Sequence, residues 1–440
     1  MVYNIIVYFV YWFFIIKYYN KRMDKKNTTL KTVSLEVLLD LYRTKGSMQI
    51  EEDGYVISRS QHQTIWAKVD KEAIPAPIMH FDNIVIPTKN RESKTGTASA
   101  FFKFCKNDFQ IYSETLGMRI ASLFPGTKTC YNCPAILDKN RPSIQDALTK
   151  VNDINSGKGM LVYSLLDKGE YLYTLMDASK VEMPVSSVEE NFKTIQKFIN
   201  EKRTDLDFRS RIGLGIQLKK EYAYQWLFRD CFGDVDFTSR NAGLIHNTET
   251  NEVRLAPQFD FGEILNILYK NKFCEPTLDK IENYAGLPDQ EKWQAMVDRV
   301  NASKIAKHNA SPAELAKLDT TDTTKANITY LTTKQPDVVC SFLKDLNYFN
   351  EAQYITVLVP EYTDNYNLIP KEQADMVTQF IQARMDNFSQ NLVEGLQQNS
   401  PEYLENYLQE NPDLLPLIQK VEQAESAETT ISTSTPPVQE

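Results

Sequence analysis

The amino-acid sequence predicts an α+β protein in which most strands precede most helices. Short runs rich in β-branched and aromatic residues, separated by turn residues, occupy residues 23–165. From residue 166 onward, apolar residues recur mainly at helical spacing. Strands followed by helices, rather than alternating with them, are typical of the α+β class. At 440 residues, the chain is long enough for about two or three domains.

Changes in composition along the chain predict six segments. They are an apolar N-terminal extension (1–22), a β-rich part (23–165), a helical part (166–300), a polar linker or loop (301–326), a further helical region (327–423) and a tail (424–440). The linker is predicted because its segment is polar and contains a Ser-Pro pair and repeated Thr residues. The tail is rich in Ser, Thr, Pro and Glu, which favours disorder because little apolar surface is available to bury.

Composition also limits the classes of function. The formal net charge of −9 argues against an extended nucleic-acid surface, which needs a basic face. Six Cys residues show no repeating framework, and the single C-x-x-C pair, Cys130 and Cys133, has no second Cys or His pair at zinc spacing. We therefore expect reduced thiols in a cytoplasmic protein rather than a zinc site.

The first residues form an apolar segment, Val2–Ile16, which is followed by several Lys and Arg residues. It is shorter than the roughly 18 to 20 residues that span a bilayer, and it lacks the charged start of a secretory signal. Two interpretations remain. The segment is a membrane anchor with a cytoplasmic body, or translation begins at Met23. We favour the start at Met23 and expect membrane contact only if residues 2–16 belong to the protein.

Three short runs predict strands of a small sheet: Gly54–Ser58, Thr64–Val69 and Asn83–Pro87. A stretch of small polar residues, 91–99, follows them and leads into an aromatic strand. A loop of this kind can surround a phosphate with backbone N–H groups, although a surface turn has the same composition. Its candidate phosphate-binding residues are Gly96, Thr97 and Ser99.

The aromatic strand contains one charged residue, Lys103, flanked by Phe102 and Phe104. Burying an unpaired charge is costly, so its ammonium group needs a partner. The next predicted helix, Phe109–Phe124, carries Glu114 as its acid. A strand Lys paired with a Glu of the next helix resembles the pair that contacts nucleotide phosphates in protein kinases, and this resemblance implies a nucleotide-binding role. The alternatives are an edge-strand Lys that reaches solvent, or Lys106 in the same role.

The second half of the chain carries three oxygen-bearing side chains: Asp236, Asn241 and Asp260. They follow an apolar run predicted as the end of a helix over 208–232, with a break at Gly213-Leu-Gly215. A hairpin is predicted between Asn241 and Asp260. Carboxylate and amide oxygens suit Mg²⁺ bound together with phosphates. The alternative is a helical scaffold in which these residues only stabilise turns.

This pattern resembles that of protein kinases. In those enzymes a catalytic Asp is followed five residues later by a metal-binding Asn, and then by an Asp-Phe-Gly motif. Asp236 and Asn241 reproduce the first spacing, and Asp260-Phe261-Gly262 reproduces the motif. The segments Gly233–Asn241 and Leu255-Ala-Pro257-Gln-Phe-Asp260 further resemble the HipA-like serine/threonine kinases. The resemblance covers roughly residues 90–270, and Thr238 stands where that family has His.

The resemblance implies a two-lobed kinase-like fold with a β-rich N-terminal lobe and a mainly helical C-terminal lobe. It implies ATP and Mg²⁺ as cofactors, with Asp236 as the catalytic residue, Asn241 and Asp260 as metal ligands, and Lys103 and Glu114 at the nucleotide. The implied function is transfer of the ATP γ-phosphate to a Ser/Thr hydroxyl of a protein substrate, with a cognate antitoxin as a further partner. Thr238 favours the alternative of a pseudokinase that binds nucleotide, and a lipid or small-molecule kinase is a third interpretation.

Overall fold

The computed structural model describes residues 97–130, 132–137, 157–163, 165–166, 169–280, 289–318 and 321–419, and the backbone of five short strands before residue 97. The apolar extension, the alternative start at Met23, the predicted phosphate-loop residue Gly96 and the tail lie outside these residues. Among the described residues, no helix is both long enough and apolar enough to cross a membrane.

The described part of the chain contains twelve strands. In chain order they are β1 Thr32–Val33, β2 Met48–Ile50, β3 Val56–Ser58, β4 Thr64–Asp70, β5 Ile84–Val85, β6 Thr97–Phe104, β7 Thr129–Cys130, β8 Asn132–Leu137, β9 Lys158–Tyr163, β10 Glu170–Thr174, β11 Gly243–Asn247 and β12 Val253–Leu255. The three strands predicted for a small sheet correspond to β3, β4 and β5.

The largest sheet has five strands in the order β1-β8-β9-β6-β4. Strands β1 and β8 are parallel, and the other neighbours are antiparallel. Lys103 lies in β6, opposite Thr64 on one side and Met160 on the other. Because β6 has a neighbour on both sides at this position, the interpretation of Lys103 as an edge-strand residue is excluded.

The predicted phosphate loop is partly strand. Thr97 and Ser99 lie in β6, opposite Asp70 and Lys68 of β4. The sheet pairing engages the backbone of this segment, so Thr97 and Ser99 do not form the open loop that the sequence predicts. The alternation of small residues in this stretch fits a strand as well as a turn, which explains the difference.

Three smaller sheets accompany the largest one among the described strands. Strands β10, β11 and β12 form an antiparallel sheet, in which β11 and β12 are the predicted hairpin and Leu244 lies opposite Leu255. Its turn contains Asn251 with a positive φ of 60°, a conformation that Asn tolerates. Strand β5 pairs in parallel with β7, and the described strands β2 and β3 form an antiparallel pair.

Twelve α-helices are described, and they dominate the chain after residue 175. They are α1 Asp108–Ala121, α2 Leu175–Ser179, α3 Val188–Lys202, α4 Phe208–Cys231, α5 Asn266–Leu268, α6 Gln290–Asn309, α7 Pro312–Leu318, α8 Asp322–Lys334, α9 Pro336–Glu351, α10 Tyr354–Tyr366, α11 Lys371–Asn399 and α12 Pro401–Glu410. A π-helix at Tyr269–Phe273 follows α5 directly. The fold is therefore mixed helix and sheet; its division into two lobes stays a prediction.

Side-chain caps define the starts of the helices that flank the site. Asn107 precedes α1 and accepts a hydrogen bond from the backbone N–H of Gln110. Asp207 precedes α4 and accepts from the N–H of Ser210. Each cap satisfies one of the N–H groups that the first turn of a helix leaves without a partner.

Two features of the helical part differ from the prediction. Residues 301–326, predicted as a linker or loop, are largely helical, since they include the end of α6, all of α7 and the start of α8. Helix α7 buries Leu315 and Ala316, and Leu318 is exposed together with its polar residues. The predicted break at Gly213-Leu-Gly215 is also absent, since α4 runs through it. Gly215 instead lets α4 approach Gln196 of α3, because a Cβ atom there would collide with that side chain.

Aromatic side chains join the C-terminal helices to the rest of the core. Phe124, which follows α1, packs at ring-centroid distances of 5.2 Å from Phe228, 5.7 Å from Phe232 and 5.0 Å from Phe349. Buried residues from β6 to α11 belong to the same hydrophobic cluster. The region after residue 327, whose role the sequence leaves unassigned, is thus part of the core that supports α1 and α4.

Candidate active site

Lys103 lies at the centre of the candidate site and is buried. Its ammonium group contacts the carboxylate of Glu114 on α1 closely and forms a 2.6 Å salt bridge with Asp260 Oδ1. The Lys–Glu pair that the sequence predicts is therefore present. The contact between Lys103 and Asp260 joins residues 157 positions apart and was not predicted.

The charges of these three side chains act on one another. Burial alone would lower the pKa of Lys103, but the carboxylates of Asp260 and Glu114 outweigh this effect and raise it above its usual range. Burial raises the pKa of Glu114, and the ammonium group of Lys103 opposes that rise. The ammonium group is therefore charged and held between two acids.

Asp260 has a left-handed backbone conformation, with φ of 62°. A residue other than Gly in this region stores strain and persists only where the surroundings impose it. Here the guanidinium group of Arg229 imposes it by donating to the carbonyl oxygens of Asp260 at 2.6 Å and Phe259 at 3.2 Å. This backbone turn directs the Asp260 side chain toward Lys103.

Phe261 connects the turn to helix α1. Its N–H donates to Glu114 Oε2 at 2.8 Å, and its carbonyl oxygen accepts from Ser113 Oγ at 3.0 Å. Its ring is fully buried and lies 4.4 Å from the Arg229 guanidinium carbon. A single segment therefore fixes the positions of both Asp260 and Glu114.

The loop from Gly233 to Asn241 presents the other two candidate residues. Asp234 Oδ1 accepts from the N–H of Asp236 at 3.0 Å, and Arg229 forms a buried salt bridge with Asp234. Asn241 Nδ2 donates to Asp236 at two atoms, its carbonyl oxygen at 2.8 Å and Oδ2 at 3.0 Å. Because Asn241 uses its nitrogen in these bonds, its amide oxygen is left for another partner.

Arg229 and Asp234 also belong to the candidate site, although the sequence did not predict them there. Arg229 is fully buried and contacts both the Asp236 loop, through Asp234, and the Asp260 turn. An Arg within the apolar run that ends α4 was the available signal, because a charge on a buried helix needs a partner. We assign Arg229 the role of fixing the two loops relative to each other.

Electrostatic effects link the two parts of the site. Burial raises the pKa of Asp234 to about 7; Arg229 opposes the rise, whereas the charges of Asp260 and Asp236 add to it. Burial also raises the pKa of Glu263, again with a contribution from Asp236 and Asp260. These two aspartates thus lie close enough to act on the same neighbours.

The raised pKa of Asp234 predicts a pH dependence of stability. Because the folded protein binds this proton more tightly than the unfolded chain does, the stabilisation is complete below the unfolded value of 3.8 and is lost as the pH rises through about 7. Asp234→Asn cannot ionise, so its melting temperature should fall less than that of the wild type between about pH 5 and about pH 8. Thermal denaturation of both proteins in buffers at about pH 5 and about pH 8 measures this difference. Equal falls in melting temperature for Asp234→Asn and the wild type would contradict the raised pKa of Asp234.

The donor set fits a hard cation shared with phosphates. Two buried cations contact carboxylates here: Lys103 contacts Glu114 and Asp260, and Arg229 contacts Asp234. The Asp260 side chain is 30% exposed, so it can reach a ligand while it contacts Lys103. In the described ranges no three His, Cys, Asp or Glu side chains form a metal cluster on their own. A Mg²⁺ ion that also binds phosphates needs only one or two carboxylates from the protein.

Thr238, which stands where the HipA-like family has His, takes part in the turn of the loop. Its N–H donates to the carbonyl oxygen of Asp236 at 2.9 Å, and its Oγ accepts from the N–H of Arg240 at 3.3 Å. The residue therefore supports the conformation of the Asp236 loop. Its hydroxyl group is shorter than an imidazole and cannot reach as far from the backbone.

No protein-family model matches the chain, and no curated protein matches it in sequence. Among solved structures, the chain is similar to the Helicobacter pylori proinflammatory kinase CtkA, with a TM-score of 0.43 and 9% identity. The match covers 83% of this chain and 99% of the kinase chain. A kinase is thus a structural neighbour of this chain.

Proposed function

We propose that this protein is a phosphotransferase that uses ATP and Mg²⁺ to phosphorylate a Ser or Thr hydroxyl of a protein substrate. The observation that carries the proposal is the placement of Lys103 between Glu114 and Asp260, in contact with both carboxylates. Glu114 also binds the N–H of Phe261 in the motif that begins at Asp260. A structural ion pair would not need a strained Asp with a partly exposed carboxylate.

The chain's residues have separate roles in this proposal. The bound nucleotide and metal supply the transferable phosphoryl group and the charge that neutralises it. Lys103 donates to phosphate oxygens, and Glu114 holds its ammonium group in place. The carboxylate of Asp260 and the amide oxygen of Asn241 are the metal ligands. Arg229 holds the two loops that carry these ligands in a fixed position relative to each other.

Asp236 acts on the acceptor in this proposal. Its carboxylate accepts the proton of the substrate hydroxyl, or orients that hydroxyl toward the phosphorus atom. Asn241 Nδ2 restricts the Asp236 carboxylate through the 3.0 Å hydrogen bond to Oδ2. Most of the acceleration comes from positioning and from electrostatic stabilisation, because phosphoryl transfer asks for little covalent chemistry from the protein.

Thermal shift of the full-length protein tests the nucleotide site. ATP with Mg²⁺ should raise the melting temperature of the wild type, since a ligand at about 100 times its Kd stabilises the folded state by about 2.7 kcal/mol. Asp260→Ala should lose this rise, and so should the wild type in EDTA. Asp279→Ala is the matched control, because it removes a partly exposed carboxylate paired with Lys304 and should keep the full shift. A wild type that does not respond to ATP and Mg²⁺ would refute the proposal.

A second candidate function is nucleotide binding without transfer. Thr238 favours it, because its hydrogen bonds are made within the loop and the longer His of the HipA-like pattern is absent. One experiment distinguishes the two functions. A magnesium-dependent thermal shift without transfer of labelled γ-phosphate to protein would show that the protein binds nucleotide and does not act as a kinase.

A further inference from the structure

We propose that Arg384, on helix α11, is a positioning residue for the candidate catalytic loop Gly233–Asn241. The kinetic test of this inference rests on the proposed function, whereas the hydrogen-exchange test depends only on the geometry of the loop. Arg384 comes 153 residues after Cys231, in the helical region to which the sequence assigns no role. It does not belong to the motif that carries the kinase resemblance.

Arg384 binds the end of helix α4. Its Nε donates to the carbonyl oxygen of Cys231 at 3.3 Å, and its Nη2 donates to the carbonyl oxygen of Asp230. The Asp230 carbonyl oxygen also accepts from the N–H of Gly233 at 3.0 Å, and the negative end of the helix dipole favours a cation at this end of the helix. The buried guanidinium group therefore caps α4 at the point where the loop begins.

Arg384 also lies against the first residue of the loop. A Cβ atom at Gly233 would be 3.6 Å from Arg384 Nε and 3.6 Å from the ring of Phe380, which is one turn earlier on α11. Gly233 has a positive φ of 78°, so the chain turns sharply at this contact. The next residue, Asp234, orients the N–H of Asp236. Arg384 thus acts on Asp236 through two backbone positions and does not need to touch the reacting atoms.

A second C-terminal helix holds the same turn. Thr324 Oγ1 on α8 donates to Asp230 Oδ1 at 3.1 Å, while Arg384 binds the Asp230 carbonyl oxygen. Two helices from the C-terminal region therefore hold both the side chain and the backbone of Asp230. The hydrogen bonds of a guanidinium group to backbone carbonyls fix the direction in which the loop leaves helix α4. An apolar residue of similar volume could fill the same space but could not form these bonds.

Hydrogen–deuterium exchange of the full-length protein without nucleotide tests the effect on the loop. Arg384→Gln should speed exchange in peptides covering residues 232–241 by about tenfold or more, since local opening of this loop becomes easier. Arg384→Lys keeps the charge but loses the planar guanidinium that reaches two carbonyl oxygens, and it should give an intermediate rate. Leu392→Ala is the control for helix stability, because Leu392 is fully buried about 12 Å further along α11. Unchanged exchange in Arg384→Gln, or equal acceleration in Leu392→Ala, would overturn the inference.

Magnesium-dependent transfer of labelled γ-phosphate from ATP to a protein acceptor tests the effect on function. Arg384→Gln should lower kcat by about 10- to 100-fold and leave KM for ATP within about threefold, because misplacing a reacting group affects the transition state more than binding. Leu392→Ala should lower the melting temperature and keep kcat. A retained kcat in Arg384→Gln would contradict the positioning role. Absence of turnover in the wild type would instead count against the proposed function, and the exchange data would still decide the role of Arg384.

Discussion

Replacing Asp236 with Asn should abolish phosphoryl transfer while the protein stays folded. The carboxylate that accepts or orients the hydroxyl proton is lost, and positioned general bases contribute about 10²- to 10⁴-fold to rates. The fold should survive because an Asn side chain can still accept from Asn241 Nδ2, and the 2.8 Å bond to the backbone carbonyl of residue 236 is unchanged. Transfer of labelled γ-phosphate to a protein acceptor measures the effect.

The control for this change is Asp298→Asn on helix α6. Asp298 is exposed and accepts a hydrogen bond from Gln294, so the same chemical change is made away from the site. Its transfer rate should equal that of the wild type. Melting temperatures without nucleotide should be close for all three proteins. If Asp236→Asn transfers phosphate at the wild-type rate, Asp236 is not the catalytic residue.

Replacing Gly117 with Ala should disrupt the site through packing alone. Gly117 lies on α1, and a Cβ atom there would be 2.8 Å from Phe261 Cβ and 3.1 Å from its Cγ. Phe261 is fully buried and cannot move into open space. Overpacking of this kind costs about 1–3 kcal/mol. Because Phe261 is hydrogen-bonded to Glu114, we also expect weaker binding of ATP and Mg²⁺.

Gly213→Ala provides the matched comparison, since it is also a Gly to Ala change inside a helix. Apart from its chain neighbours and the backbone of its own helix, no heavy atom lies within 4 Å of a Cβ at Gly213. The substitution should therefore be neutral or stabilise the protein by about 0.4–1 kcal/mol, because it lowers the entropy of the unfolded chain. Denaturant unfolding and nucleotide thermal shift compare the two variants. Equal stability of both would show that Phe261 is not confined against α1.

Local patterns predicted the elements that carry the site. The apolar spacing over 109–124 corresponds to α1, and the two short apolar runs around a polar turn correspond to the hairpin β11–β12. These predictions succeeded because periodicity and turn residues are properties of neighbouring residues. Loops were predicted for the Thr97–Ser99 segment and for residues 301–326, but the structure has a strand in the first and mainly helix in the second. Small or polar residues are compatible with a loop and also with a strand or helix that buries few side chains.

The sequence by itself determined which residue types are present for this chemistry: a Lys in an aromatic strand, a Glu on the next helix, and Asp236, Asn241 and Asp260 in order. Only the tertiary structure decided that Lys103 contacts Asp260, that Arg229 imposes the left-handed turn, and that Arg384 caps α4 at the start of the loop. These contacts join residues 31 to 157 positions apart. Their geometry depends on how whole helices and sheets pack, and no local pattern of residues specifies that packing.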